Sequence, residues 1–342
     1  MDNLTHTLSG LVAARLMPAR GLPMRSRYIA GALAANFPDL DILLAPISSE
    51  LYLMHHRGET HSLLMLPLWA LLLSWIFARL FKSPGGWRDF YGLTAVVLLV
   101  HIFGDWITGY GTQLFAPFTR ETYALGTTFI IDPLLTLALL LGFVGSLLWK
   151  ASPRAAQLSA VLVIAWIGTQ FYWKQQALDA GKAYALAEGL KDAKVSAEPR
   201  PVSPFNWTVI VREPEHYHYA HLKLYADAPR SVPADAHWLT RALADFQPPG
   251  TADWKTVAKF GKGQDGALAR DIWARPEFAF FRWFASAPAL YRIDRHTHGA
   301  CVWFEDLRFA APGRESPFRF GLCGPEWQSY RLSRDGKATR FR

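Results

Sequence analysis

Five apolar stretches, at about 28–46, 62–81, 90–110, 130–149 and 155–173, each run close to the roughly 20 residues that a helix needs to cross a bilayer. They constrain the fold more than any other feature, because lipid admits only helices and closed barrels. A sixth candidate, residues 3–17, is shorter and more polar, and pairs with 28–46 through the turn PARGLPMRSR. The expected architecture is an α-helical transmembrane bundle of five or six helices over residues 1–173. A soluble α+β domain with an antiparallel sheet is expected over 174–342.

Charge supports that division. Residues 1–173 hold 11 Lys and Arg and 9 Asp and Glu, which leaves 25 and 19 for the rest. The net charge of +8 does not point to nucleic acid, since the basic residues are scattered among acidic ones. Anionic lipid headgroups are the better match. The opening MDNLTHTLSGLVAARLMPAR lacks the basic start and unbroken apolar run of a signal peptide, so it reads as mature protein.

The connections at 15–27, 79–88 and 150–154 are rich in Lys and Arg, whereas 47–61 and 111–129 hold only Arg57 and Arg120. Excess positive charge marks cytoplasmic loops. This reading gives a multi-pass protein of a bacterial-type inner (cytoplasmic) membrane, with 174–342 facing outward. In that part, WTVIVRE, YHYAHLKLY, ALYRIDRH, ACVWFEDLRF, FRFGLC and SYRLS alternate like strands. Residues 174–195 read as helical, as do segments near 235–246 and 266–275. Cys301 and Cys323 are either a disulfide or two unpaired core cysteines.

Ionisable groups in membrane segments are costly and mark function. They are His6; Asp39 and Asp41 in NFPDLD; His55, His56 and His61 in MHHRGETHS; His101 and Asp105 in HIFGD; and Asp132. In the orientation above, all lie toward one membrane face. His101 and Asp105 are four residues apart, on one helical face. Imidazole and carboxylate suit zinc, with manganese or iron as alternatives. His56 and His61 add two more nitrogens, and Gly58 between them allows a tight backbone path. Pro38 disturbs the helix beside Asp39. His55 reads as an exposed neighbour, and Asp132 as the N-cap before Pro133. Arg57 either clamps an anionic substrate oxygen or sits at the interface. In the second half, His216, His218 and His221, and likewise His296 and His298, read as half-exposed strand residues.

In this order and spacing, THT with His6, FPDLD, HRGETHS and HIFGDWITGYG resemble the YdjM-type family over roughly residues 1–135. Its members are described as inner-membrane, metal-dependent hydrolases. The resemblance implies metal-site roles for His6, Asp39, Asp41, His56, His61, His101 and Asp105. Glu59 stands where an apolar residue is expected. The His-x-x-x-Asp element is also similar to one in zinc-dependent phospholipase C and related nucleases. Seven candidates exceed the ligands of one zinc, which suggests a multinuclear site.

The function expected is hydrolysis of a phosphoester or lipid-linked substrate, with Asp39, Asp41 and Arg57 as catalytic candidates. An ion or small-solute transporter and a non-catalytic membrane anchor are the alternatives. A transporter expects polar groups through the membrane depth, and an anchor leaves the His and Asp cluster unexplained.

Overall fold

The Asp2 carboxylate accepts from the Thr5 backbone N–H at 3.0 Å and starts the first helix, α1 (Asn3–Leu16). The computed structural model describes residues 1–342 except Ala234, His298, Arg314, Arg334 and Arg342. Six more helices follow: α2 (Met24–Asn36), α3 (Ser49–His55), α4 (Leu66–Leu80), α5 (Arg88–Trp106), α6 (Pro133–Leu148) and α7 (Arg154–Ala187). The chain divides into two compact units, Met1–Ile47 with Leu51–Phe171, and Ser48–Glu50 with Tyr172–Arg342.

The expectation of five or six crossing helices is corrected. Among the described residues, two helices are long and apolar enough to cross a membrane, α5 and α7. A third span exists only if Ser49–His61 and α4, bent by 79°, count as one. The apolar stretches overestimated helix length because polar turns and Pro38 interrupt them. The 28–46 stretch stops being α-helical at Asn36, and Pro38–Leu44 is a 3₁₀ segment. At 1.5 Å per residue, α1, α2, α4 and α6 reach only about 20–24 Å, short of the roughly 30 Å hydrocarbon core. The outward orientation assumed five crossings and loses its premise.

In the first unit, Ala14, Ala30, Ala34, Ala70, Phe77, Phe90 and Leu98 form one buried cluster of α1, α2, α4 and α5. Leu8, Val12, Leu135, Leu139 and Ala156 form a second, joining α1, α6 and α7. The Ser74 and Thr94 hydroxyls pair at 2.8 Å between α4 and α5. Helices α1 and α2 touch backbone to backbone: a Cβ on Gly10 would lie 2.4 Å from the Gly31 carbonyl oxygen. Asp132 caps α6, accepting from Leu134 and Leu135 at 3.0 Å, as its place before Pro133 predicts. Its other oxygen accepts from the Trp166 indole at 2.9 Å. Large apolar side chains face outward along α4 (Leu68, Trp75), α6 (Leu141, Leu148) and α7 (Val161, Ile164), a surface suited to lipid.

The second unit is α+β with antiparallel sheets. One sheet holds β1 (Lys194–Pro199), β2 (Asn206–Arg212), β3 (His216–Lys223) and β4 (Lys255–Ala258) in that order. The other holds β5 (Pro288–His296), β6 (Gly299–Asp306), β7 (Arg319–Cys323), β8 (Gln328–Leu332) and β9 (Ala338–Arg340). Strand β2 is buried on both faces. Ala177 of α7 packs with Trp207 and Val209 on one side, while Ile210 packs with Ala287, Ala289 and Leu307 on the other. Helices α8 (Trp238–Ala244), α9 (Gly263–Ala274) and α10 (Ala279–Phe284) complete the unit. Trp273, Phe278 and Phe281 bring their rings against Phe304 or Phe320 of the second sheet. Cys301 and Cys323 face each other across β6 and β7 and form a disulfide.

Burial, and then the Glu315 carboxylate, push Glu305 on β6 up to about 7. A carboxyl raised in the folded state loses its stabilising contribution as pH climbs from its ordinary value of 4.5 through about 7. Glu305→Gln should therefore leave hydrogen-exchange protection of β6 and β7 unchanged at pH 5. At pH 8 it should raise protection by about 1–2 kcal/mol, reduced from the full shift because the side chain is partly solvated. Equal protection at pH 8 would contradict this.

Candidate metal centre

Four ligand atoms, one each from Asp39, His61, His101 and Asp105, lie within 4.8 Å of one another. Three local structures bring them there. The 3₁₀ turn started by Pro38 carries Asp39. The short 3₁₀ turn Glu59–His61 carries His61, reached through Gly58, where a Cβ would stand 2.8 Å from the His55 carbonyl oxygen. The last turns of α5 carry His101 and Asp105 on one face.

His61 Nε2 lies 3.0 Å from His101 Nε2, 3.1 Å from Asp105 Oδ2 and 3.5 Å from Asp39 Oδ1. His101 Nε2 lies 3.7 Å from both Asp39 Oδ1 and Asp105 Oδ2. A tetrahedral zinc with bonds of about 2.0–2.1 Å holds its ligand atoms about 3.3–3.4 Å apart. The observed separations bracket that value. His101 Nδ1 sits 2.6 Å from the Ala35 carbonyl oxygen, to which it can only donate. That bond leaves Nε2 as the lone-pair nitrogen directed at the cluster. Asp39 Oδ2 and Asp105 Oδ2 are buried without hydrogen-bond partners, which is costly unless something cationic faces them. Two imidazoles and two carboxylates are a suitable donor set for zinc, manganese or iron. The site can thus coordinate a divalent metal.

The other candidates surround these four. His6 stacks on His101 with ring centroids 3.7 Å apart, and its Nε2 lies 3.3 Å from Asp105 Oδ1. Asp41 accepts from the Arg57 backbone N–H at 3.0 Å, and both its oxygens lie 3.1 Å from His56 Nδ1. So His6, Asp41 and His56, expected as ligands, stand outside the four-atom group and contact its members or one another. His55 pairs with Glu59 at 2.9 Å.

Arg57 is buried in the left-handed region at φ 58°, and its guanidinium pairs with Asp105 Oδ1 at 3.0 Å. It also donates to Thr108 Oγ1 at 2.8 Å and lies over the Tyr110 ring. The Met1 amine is a further ion pair of Asp105. Burial opposes ionisation of Asp39, but the bond from His61 outweighs it and holds the carboxyl at about 2. Burial lowers His6 from its ordinary value despite the Asp105 carboxylate.

Sequence reasoning passed over Thr108 and Tyr110, although both lie in HIFGDWITGYG, three and five residues past Asp105. In the second unit, His218 bonds Glu213 at 3.1 Å and Tyr184 at 3.0 Å, and His221 bonds Thr208 at 2.8 Å. Neither belongs to a metal-holding group among the described residues. His296 is exposed, and His298 lies outside the described residues.

Fold and site together define a membrane protein with spanning helices and a buried His/Asp cluster able to chelate a metal. Its first 177 residues match the YdjM inner membrane protein family, and the chain belongs to that family. A similar curated protein is "Uncharacterized protein YfhP" of Bacillus subtilis (strain 168), 28% identical over 172 residues. The match covers 48% of this chain, which spans about half the length of that relative (51%). No solved structure matches.

Proposed function

We propose that the chain is a membrane-embedded, metal-dependent hydrolase acting on a phosphoester at one membrane face. The observation that carries this is the convergence of Asp39, His61, His101 and Asp105, two of whose buried carboxylate oxygens have no hydrogen-bond partner. These four would hold a divalent ion. When bound, such an ion supplies Lewis acidity and a water that ionises near neutral pH. Zinc would be the first choice, and His6, Asp41 and His56, adjacent to the four, would serve a second ion.

The chain's own groups divide the remaining work. Arg57 offsets the charge of Asp105 and fixes its orientation through Oδ1, leaving Oδ2 toward the cluster. Asp41 anchors His56 through Nδ1, and this carboxylate–imidazole pair suits proton transfer. Asp39, as one of the four, would serve in ligation. Neither a transporter nor a simple anchor has an observation of its own in its favour.

The test is hydrolysis of chromogenic and lipid phosphoesters by the detergent-purified chain, before and after exhaustive metal removal and re-addition of zinc or manganese. Loss on removal and return on re-addition are expected. Activity indifferent to metal, or absent in every state, would refute the proposal. Arg57→Lys, which loses the planar fork, should lower kcat about 10–100-fold with metal content retained. An unchanged kcat would remove Arg57 from the mechanism.

A further inference from the structure

The ends of α1 and α6 and the start of α2 enclose an open cavity of about 660 Å³, lined by Arg15, Met24, Arg25, Tyr28, Leu147 and Lys150 among others. It lies at the end of the first unit away from the His/Asp cluster. His6 meets Asp105 near the start of α1, and Arg15 comes about 14 Å further along that helix. Helix α6 keeps the same order. Its Thr136 hydroxyl meets the Thr5 hydroxyl at 2.7 Å near one end, and Ser146 and Leu147 line the cavity at the other.

Three cations meet around this cavity, and the chain around them supplies no anion. The segments that form its walls, 3–38 and 133–178, hold no Asp or Glu. Arg15 is held by the Lys150 and Ser152 carbonyl oxygens, at 2.6 and 3.0 Å, and its Nε is buried without a hydrogen-bond partner. Arg27, buried next to them on α2, likewise donates to carbonyls, those of Ala14 and Met17, and adds a fourth positive charge. Like charges gathered in one place repel, and an anion seated among them offsets that repulsion.

The setting selects among anions. The apolar helix α7, long enough to cross a membrane, starts at Arg154 directly after Lys150, so the cavity lies at the level where that helix enters the bilayer. Beside Lys150, Leu148 and Trp149 are 72% and 65% exposed, and such side chains rest favourably at a lipid–water boundary. The lining also pairs its cations with the apolar Met24, Ile29 and Leu147, a match for an anionic head joined to a tail. We propose that this cavity binds the phosphate head of an anionic phospholipid, with Arg15, Arg25 and Lys150 supplying the charge, as basic pockets between membrane helices do. The bound lipid anchors this end of the first unit in its leaflet. The site does not depend on the proposed hydrolysis, since it stands at the other end of α1 from the cluster.

The test is native mass spectrometry of the full chain in detergent, titrated with phosphatidylglycerol or with phosphatidylcholine of the same acyl chains. Intact lipid adducts report binding and not turnover. Wild type should hold phosphatidylglycerol at least about tenfold more tightly than phosphatidylcholine. Arg25→Gln combined with Lys150→Gln removes two exposed charges from the cavity and should abolish that preference. Arg79→Gln combined with Lys82→Gln removes two exposed charges elsewhere in the first unit and should keep it. A large excess of inorganic phosphate should not displace the lipid.

Equal binding of the two lipids by wild type would overturn the proposal without recourse to any variant. A preference that survives Arg25→Gln with Lys150→Gln would do the same. An equal loss in both double variants would reduce the preference to net charge and remove the site. Displacement by inorganic phosphate would make free phosphate the occupant and defeat the lipid assignment.

Discussion

His101→Ala is expected to reduce bound divalent metal in the purified protein from at least about one equivalent per chain to background. Structural zinc binds with about 10–16 kcal/mol over four ligands, so one ligand carries about 3 kcal/mol, or more than 100-fold in affinity. The substitution also frees the Ala35 carbonyl that holds the ring and removes the stacking surface of His6. Asp105→Asn should behave similarly and leave Arg57 buried without its anion. By contrast, His55→Ala should keep its metal, because His55 bonds Glu59 away from the four. Elemental analysis by mass spectrometry after gel filtration decides. Equal metal in His101→Ala and wild type, or none in either, would contradict the assignment.

Gly10→Leu is expected to be the most damaging substitution in the first unit. Even a Cβ would lie 2.4 Å from the Gly31 oxygen and 2.7 Å from the Ala35 Cβ, so α1 and α2 would have to separate. Small residues that let backbones approach are a recurrent device for packing membrane helices. Overpacking typically costs about 1–3 kcal/mol, and a backbone collision leaves little room to relax. Unfolding in mild detergent titrated with sodium dodecyl sulfate should show a loss of at least 3 kcal/mol, or no folded protein at all. Gly21→Ala provides the contrast: nothing lies within 4 Å of its Cβ, although its φ of +76° adds some strain. A Gly10→Leu protein as stable as Gly21→Ala would show that the helices are not packed this closely.

The sequence pattern led to much of the fold and misled on its proportions. The six strand segments read from alternation correspond to β2, β3 and β5 to β8. Strand β1 went unseen because Lys194–Pro199 is short, ends in proline and follows a helical run. Residues 155–173 and 174–195 looked like two elements because polarity changes between them. The backbone carries no proline there, and Arg154–Ala187 is one helix of 34 residues. Hydropathy reports composition and not helix length, which is why the apolar stretch 28–46 concealed the break at Pro38. At the site, the spacing of His101 and Asp105 placed them on one face without further information. That Asp39, and not Asp41, joins His61 in the four-atom group was beyond reach, because i and i+2 on a 3₁₀ turn diverge in a direction only tertiary packing decides.

His61, His101 and Asp105 have side chains that are 0–1% exposed, whereas Asp39 is 16% exposed. An ion held among them has one door. Its departure would wait on motion of the Pro38–Leu44 turn, so exchange would be slow even where affinity is modest. A brief soak in chelator would then report how often that door opens, not whether the ion is needed, and hours of incubation would be required to tell the two apart.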